Sequence, residues 1–215
     1  MACSLGDLFK SFKSMCYFKN CAVADSEDFH KKHEQALAAK MIECGYEKYV
    51  PSNKLHKCDE ENENFLNDMP VGTFIEQPFG SQQAPDFFVK GPCSNRIALE
   101  AKSSKENYPQ YNSGGIKLNY YYVFCSEKTN QSTIFQGCDI VTPEQDRMIA
   151  KYTEECRARD IEFNKKLSEI DSHGRGVQWY TRPMITQKGG KEKTDYFSHT
   201  NRECIEKRVL DSFDE

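Results

Sequence analysis

The sequence predicts a single α/β domain, and three observations predict it. Apolar residues recur at helical spacing over 4–19, 26–44 and 143–170. Between these stretches lie short runs rich in Phe, Val, Ile and Tyr, bounded by Gly, Pro, Asn and Ser, which are strand signals. The length, 215 residues, suits one domain with a good core.

Composition excludes some classes. Charged residues make up 29% of the chain, and no apolar run approaches the length needed to span a membrane. Lys10 and Lys13 interrupt any apolar core of a signal peptide, so an intracellular protein without a membrane partner is expected. The ten cysteines include no Cys-x-x-Cys pair, and several fall on predicted core elements, such as Cys125 and Cys138. They read as reduced, small apolar residues rather than a disulfide framework. A zinc site of Cys16, Cys21, His30 and His33 is the alternative. The net charge of −4 is awkward for a partner of nucleic acid, although a locally basic cleft is what such a partner meets.

In chain order, residues 4–19 form an amphipathic helix that covers part of the fold or a subunit partner, with a membrane-surface helix as the alternative. In the helix at 26–44, Ser26 caps, Glu27 and Asp28 complement the dipole, and Gly45 stops it. Residues 46–70 are polar, and Gly72–Ile75 is a short strand. Ile116–Ser126 and Ser132–Val141 are strands around a turn at 127–131, with Tyr120, Tyr121 and Tyr122 read as core. Thr142, Pro143 and Gln145 form a capping box that starts a helix running to about Ile170. Val177–Gln187 reads as a strand interrupted by Pro183, and 203–213 as a closing helix.

The stretch that carries chemistry is 82–104. Phe87, Phe88 and Val89 form a strand, Gly91 to Asn95 a loop, and Ile97 to Lys102 a second strand antiparallel to the first. Side chains alternate across a strand. Ile97, Leu99 and Ala101 therefore share a core face, and Glu100 and Lys102 share the other. Asp86 stands at the matching end of the first strand. Two carboxylates and a lysine converge at one mouth of the sheet. Carboxylate oxygens suit magnesium, which retains waters and open positions for a phosphate. A surface hairpin with a solvated Glu100–Lys102 pair is the plain alternative, but it leaves Asp86 without a reason.

Pro85-Asp86 followed by Glu100-Ala101-Lys102 resembles the PD-(D/E)xK nuclease signature, and the chain resembles a type II restriction endonuclease. The lead-in Gln77-Pro78-Phe79-Gly80-Ser81-Gln82 is similar to the stretch before this motif in several such enzymes. The resemblance implies a restriction-endonuclease-like core, a central mixed sheet flanked by helices, spanning 1–215. It implies hydrolysis of double-stranded DNA with Mg2+ (Mn2+ as a substitute), held by Asp86, Glu100 and the carbonyl of Ala101, with Lys102 orienting or activating water. Glu34, on the helix before the motif, is a further acidic candidate, with an ordinary exposed glutamate as its alternative. A homodimer would match a palindromic target.

Candidate DNA contacts are Ser81 and Gln82, and beyond the lysine Asn112, Ser113, Gly114 and Lys117. The segment 175–208 has eight Lys/Arg and four Asp/Glu, a local net of +4. Within it Arg182, Gln187, Lys188, Asn201 and Arg202 are candidates for base readout, against a solvated hairpin. Two alternatives to restriction remain: another nuclease with this core (repair, resolvase or DNA-degrading), and a DNA-binding module without catalysis.

Overall fold

Strands β1 (Glu47–Lys48), β2 (Thr73–Glu76), β3 (Phe87–Lys90), β4 (Arg96–Ser104), β6 (Tyr121–Ser126) and β7 (Gln131–Gln136) stand in that order in one sheet. The β1–β2 and β4–β6 pairs are parallel and the others antiparallel, so the sheet is mixed. A separate two-stranded ribbon joins β5 (Tyr111–Asn112) to β8 (Met184–Ile185). The computed structural model describes residues 1–18, 33–52, 55, 68–80, 83–112, 115–182, 184–188 and 190–213.

Helices flank the sheet. On one face lie α1 (Leu5–Lys13) and α2 (His33–Glu43). Leu8, Phe9 and Phe12 of α1 and Leu37 and Met41 of α2 are fully buried against Phe74, Phe87, Leu99 and Val123. Each such side chain contributes about 1.5–3 kcal/mol by leaving water. The apolar stripe of α1 is thus part of the core, which removes the membrane-surface reading. The helix is shorter than predicted, ending at Ser14 rather than residue 19. The predicted cap of α2 at Ser26, Glu27 and Asp28 lies outside the described residues. Gly45 ends α2 at φ +85°, and a Cβ there would lie 2.6 Å from the carbonyl oxygen of Met1.

The opposite face buries Tyr120, Tyr122, Phe124 and Phe135, together with Tyr111 of the ribbon. Tyr120 and Tyr122 are core, as expected, whereas Tyr121 is only partly buried and packs on the α1 face. The predicted strand over 116–126 is shorter: 116–120 form a turn, and pairing begins at Tyr121. Its return strand ends at Gln136, where a 3-10 turn (Gly137–Asp139) follows and leaves Cys138 exposed rather than in the core. Cys125 is buried as expected. Cys21 and His30 of the alternative zinc set lie outside the described residues, so that set cannot be assembled here.

Helix α3 (Pro143–Glu169) opens with the predicted capping box at Thr142 and Gln145, and it buries none of its residues. The segment after it is not the predicted strand. Only Met184–Ile185 pair, and the stretch before them hangs on α3 by side-chain clasps instead. After a short helix, α4 (Lys191–Thr194), the chain closes with α5 (Arg202–Asp211). Among the described residues no helix is long and apolar enough to cross a membrane.

A buried ion cluster locks α5 to β7. Glu206, 2% exposed, accepts from Arg202 Nε at 2.9 Å and Thr133 Oγ1 at 2.7 Å, and pairs with Lys13 Nζ at 2.8 Å. Burial opposes its charge, but these three donors outweigh it and hold the carboxyl below its ordinary value. Removing Arg202 leaves a buried charge short of a donor. Arg202→Ala is expected to cost about 3 kcal/mol in urea unfolding at neutral pH. Because the folded pKa is depressed, this stabilisation is present above the ordinary carboxylate range, and it fades as pH falls through the folded value. A loss below about 1 kcal/mol would show that the cluster behaves as a surface pair.

Candidate active site

Asp86 stands one residue before β3. Its carbonyl accepts from the Gln77 N–H at 2.7 Å, which extends the β2–β3 ladder past its last pair. The β3–β4 register sets Phe87 against Leu99, so the next step sets Asp86 against Glu100. Beyond that step β3 has left the sheet, and the Ala101 N–H turns to the Asp86 side chain, donating to Oδ2 at 2.8 Å. The carboxylate takes the place of the missing strand.

Glu100 and Lys102 project from the same face of β4, as the alternation requires. Lys102 Nζ donates to Glu100 Oε1 at 2.6 Å, with both side chains largely buried. The second oxygen, Glu100 Oε2, is buried with no hydrogen-bond partner among the described residues. An unsatisfied buried carboxylate oxygen is costly. Burial, and then the charge of Glu100, push the Asp86 carboxyl up to about 7. The Ala101 N–H and Lys102 pull the other way and do not cancel it, and Glu34 adds a smaller upward push. Two carboxylates that resist sharing negative charge are a site short of a cation.

These residues open into a cleft of about 640 Å³, lined by Glu34, Asp86, Glu100, Ala101, Lys102 and, among others, Arg182. Glu34, in the first turn of α2, is brought there as expected, and Gln77 Nε2 donates to its Oε2 at 3.5 Å. The β5–β8 ribbon, which pairs Asn112 with Met184, brings Asn112 and Arg182 to the same cleft from distant parts of the chain. Asp86 and Glu100 with the Ala101 carbonyl fit a hard cation that keeps most of its waters. Among the described residues no group of three His, Cys, Asp or Glu side chains forms a metal cage.

Other predicted contacts lie elsewhere. Gln187 accepts from Tyr196 Oη at 2.8 Å and, with Lys188, lines a different groove. Arg202 is held in the Glu206 cluster, 4.9 Å from the centre of the Phe197 ring, so it is a structural residue rather than a base reader. Asn201 is exposed at the start of α5 and does not line the cleft. Lys117 lies outside the cleft too, its N–H donating to Tyr122 Oη at 2.9 Å. Ser81, Gln82, Ser113 and Gly114 fall outside the described residues.

Sequence reasoning missed Lys105 and Gln110, which line the cleft. His33, read from the sequence only as part of the alternative zinc set, does not line the cleft. This side chain is buried with neither ring nitrogen hydrogen-bonded, and burial, then the Lys102 charge, push it down to about 4. A neutral imidazole therefore stands behind the lysine. The chain matches no family model, no curated protein and no solved structure.

Proposed function

We propose that the chain is a magnesium-dependent endonuclease that cuts double-stranded DNA at specific sites, in the manner of type II restriction enzymes. The observation that carries this is the Asp86–Glu100–Lys102 constellation, with one buried Glu100 oxygen unsatisfied at the mouth of a polar cleft. Magnesium bound there supplies a Lewis acid and a bound water of lowered pKa.

The protein groups then have definite tasks. Asp86, fixed through Oδ2 by the Ala101 N–H, and Glu100 hold the ion, with the Ala101 carbonyl as a third oxygen. Lys102, tethered to Glu100, orients the attacking water and donates a hydrogen bond to the scissile phosphate. The water oxygen bonds to phosphorus and its proton passes to surrounding water, while the bond from phosphorus to the 3′ oxygen breaks and that oxygen takes up a proton from solvent. The products carry 5′-phosphate and 3′-hydroxyl ends. Lys105, Asn112 and Arg182 line the approach and suit contacts to the DNA backbone. A homodimer would place two such clefts on the two strands of a palindrome.

The test is digestion of a methylation-free plasmid with and without magnesium. Discrete fragments that need magnesium are expected, and sequencing their ends gives the site. A magnesium-dependent smear would keep the chemistry and remove site specificity. No cutting by folded protein would leave a binding module.

A further inference from the structure

Helix α3 is 27 residues long and buries none of them, although it carries an ordered apolar stripe. Ile149, Tyr152, Cys156, Phe163, Leu167 and Ile170 fall within about 60° of arc at 3.6 residues per turn. Tyr152 is 66%, Phe163 48% and Ile170 75% exposed, while Cys156 and Leu167 are half-buried and Ile149, at the base of the helix, packs in part against the core of its own chain. The run 177–182 lies along one side of this stripe, held by Asn164 to the Trp179 backbone and by Asp160 to Thr181, and leaves Tyr152, Phe163 and Ile170 exposed. Large exposed apolar stripes of this kind mark interaction surfaces.

The spacing of the stripe identifies the occupant. The intervals are three, four, seven, four and three residues, the same read from either end. Two copies laid antiparallel in one register therefore match apolar to apolar throughout: Ile149 with Ile170, Tyr152 with Leu167, and Cys156 with Phe163. The middle of that register sets Arg159 against Asp160 of the other copy. Among the described residues neither has an ion-pair partner within its own chain; Asp160 accepts only from Thr181. The charges agree at longer range. Residues 143–156 have four acidic and two basic side chains, and 157–169 have four basic and three acidic, so the antiparallel arrangement sets net −2 against net +1. A two-fold interface must be self-complementary in this way.

We propose that α3 is the interface of a homodimer, the two helices packing antiparallel through the Ile149–Ile170 stripe with Arg159 and Asp160 paired across the two-fold axis. The proposal does not depend on the nuclease reading, since the stripe contains no residue of the cleft.

The full chain, followed by sedimentation velocity across a hundredfold concentration range, is expected to move from 24.8 kDa towards twice that mass. Phe163→Glu should weaken association at least a hundredfold, and Ile161→Glu, on the far side of the helix, should leave it unchanged. Far-UV circular dichroism checks that both variants fold. Cross-linking fixes the register. In a Phe163→Cys variant the introduced thiol lies seven residues from Cys156, about 10.5 Å along the same helix, beyond the reach of a disulfide. A bridge between positions 156 and 163, identified by mass spectrometry after mild oxidation, must therefore join two chains. A protein that stays monomeric at every concentration overturns the proposal. So does a dimer indifferent to Phe163→Glu, or one in which positions 156 and 163 do not bridge.

Discussion

Replacing Lys102 by alanine is expected to lower kcat/KM for a duplex substrate by about 10²–10⁴-fold at saturating magnesium, the range for losing one positioned proton-handling group. That corresponds to roughly 3–5 kcal/mol of transition-state stabilisation. The lysine is bonded to Glu100 within the sheet rather than to solvent, so its ammonium is fixed before substrate arrives. Its loss also strips Glu100 of its one side-chain donor among the described residues. For that reason Lys102→Gln, which restores a neutral donor, belongs beside it. If chemistry is the role of Lys102, both variants lose cleavage while DNA binding in calcium persists. A drop of less than tenfold in cleavage would remove Lys102 from the reaction and leave it a structural partner of Glu100.

Asp86→Asn should abolish magnesium-dependent cleavage and, without metal, make the protein more stable. The wild-type carboxyl is pushed up to about 7 from an ordinary 3.8, by burial and then by Glu100. A carboxyl raised in the folded state contributes stability that is fully present below its unfolded pKa and is lost as pH rises through the folded one. Between about pH 4 and pH 7, then, the metal-free wild type should weaken. Asparagine never ionises and can still accept from the Ala101 N–H. At pH 8 the variant should be the more stable by roughly 2–4 kcal/mol in urea unfolding, and at pH 4 the two should converge. Magnesium should raise the wild type at pH 8 and leave the variant unmoved. Equal stability at pH 8 would mean that Asp86 is solvated and ordinary, and the argument for a cation would fail with it.

The site was legible in the sequence where its cause is local. Two-residue alternation placed Glu100 and Lys102 on one face, and the breakers at 91–95 made the hairpin that sets Asp86 opposite. The α/β layering was legible from periodicity for the same reason. What failed depends on distant partners. Arg202 and Glu206 are spaced as a helical pair in the sequence, but nothing local says that Thr133 and Lys13 bury them. Gln187 looked free for base contacts and is taken by Tyr196. Residues 116–120 have the aromatic and β-branched character of a strand, yet the backbone turns there, with Gly137 pressed against Lys117. For α3 the sequence suggested only a patchy stripe that included Met148 and Ile161 and left out Phe163, and periodicity does not show whether a face is covered by its own chain.

The Ala101 N–H that holds Asp86 has a consequence for how the protein can vary. A slip of β3 by a single residue against β4 would give that hydrogen to a different acceptor. It would also turn strand side chains to the wrong side of the sheet. Core and chemistry would be lost in one event. Insertions and deletions inside β3 and β4 are therefore expected to be excluded twice over, whereas the exposed loop at 92–95 between them can change length without moving the register.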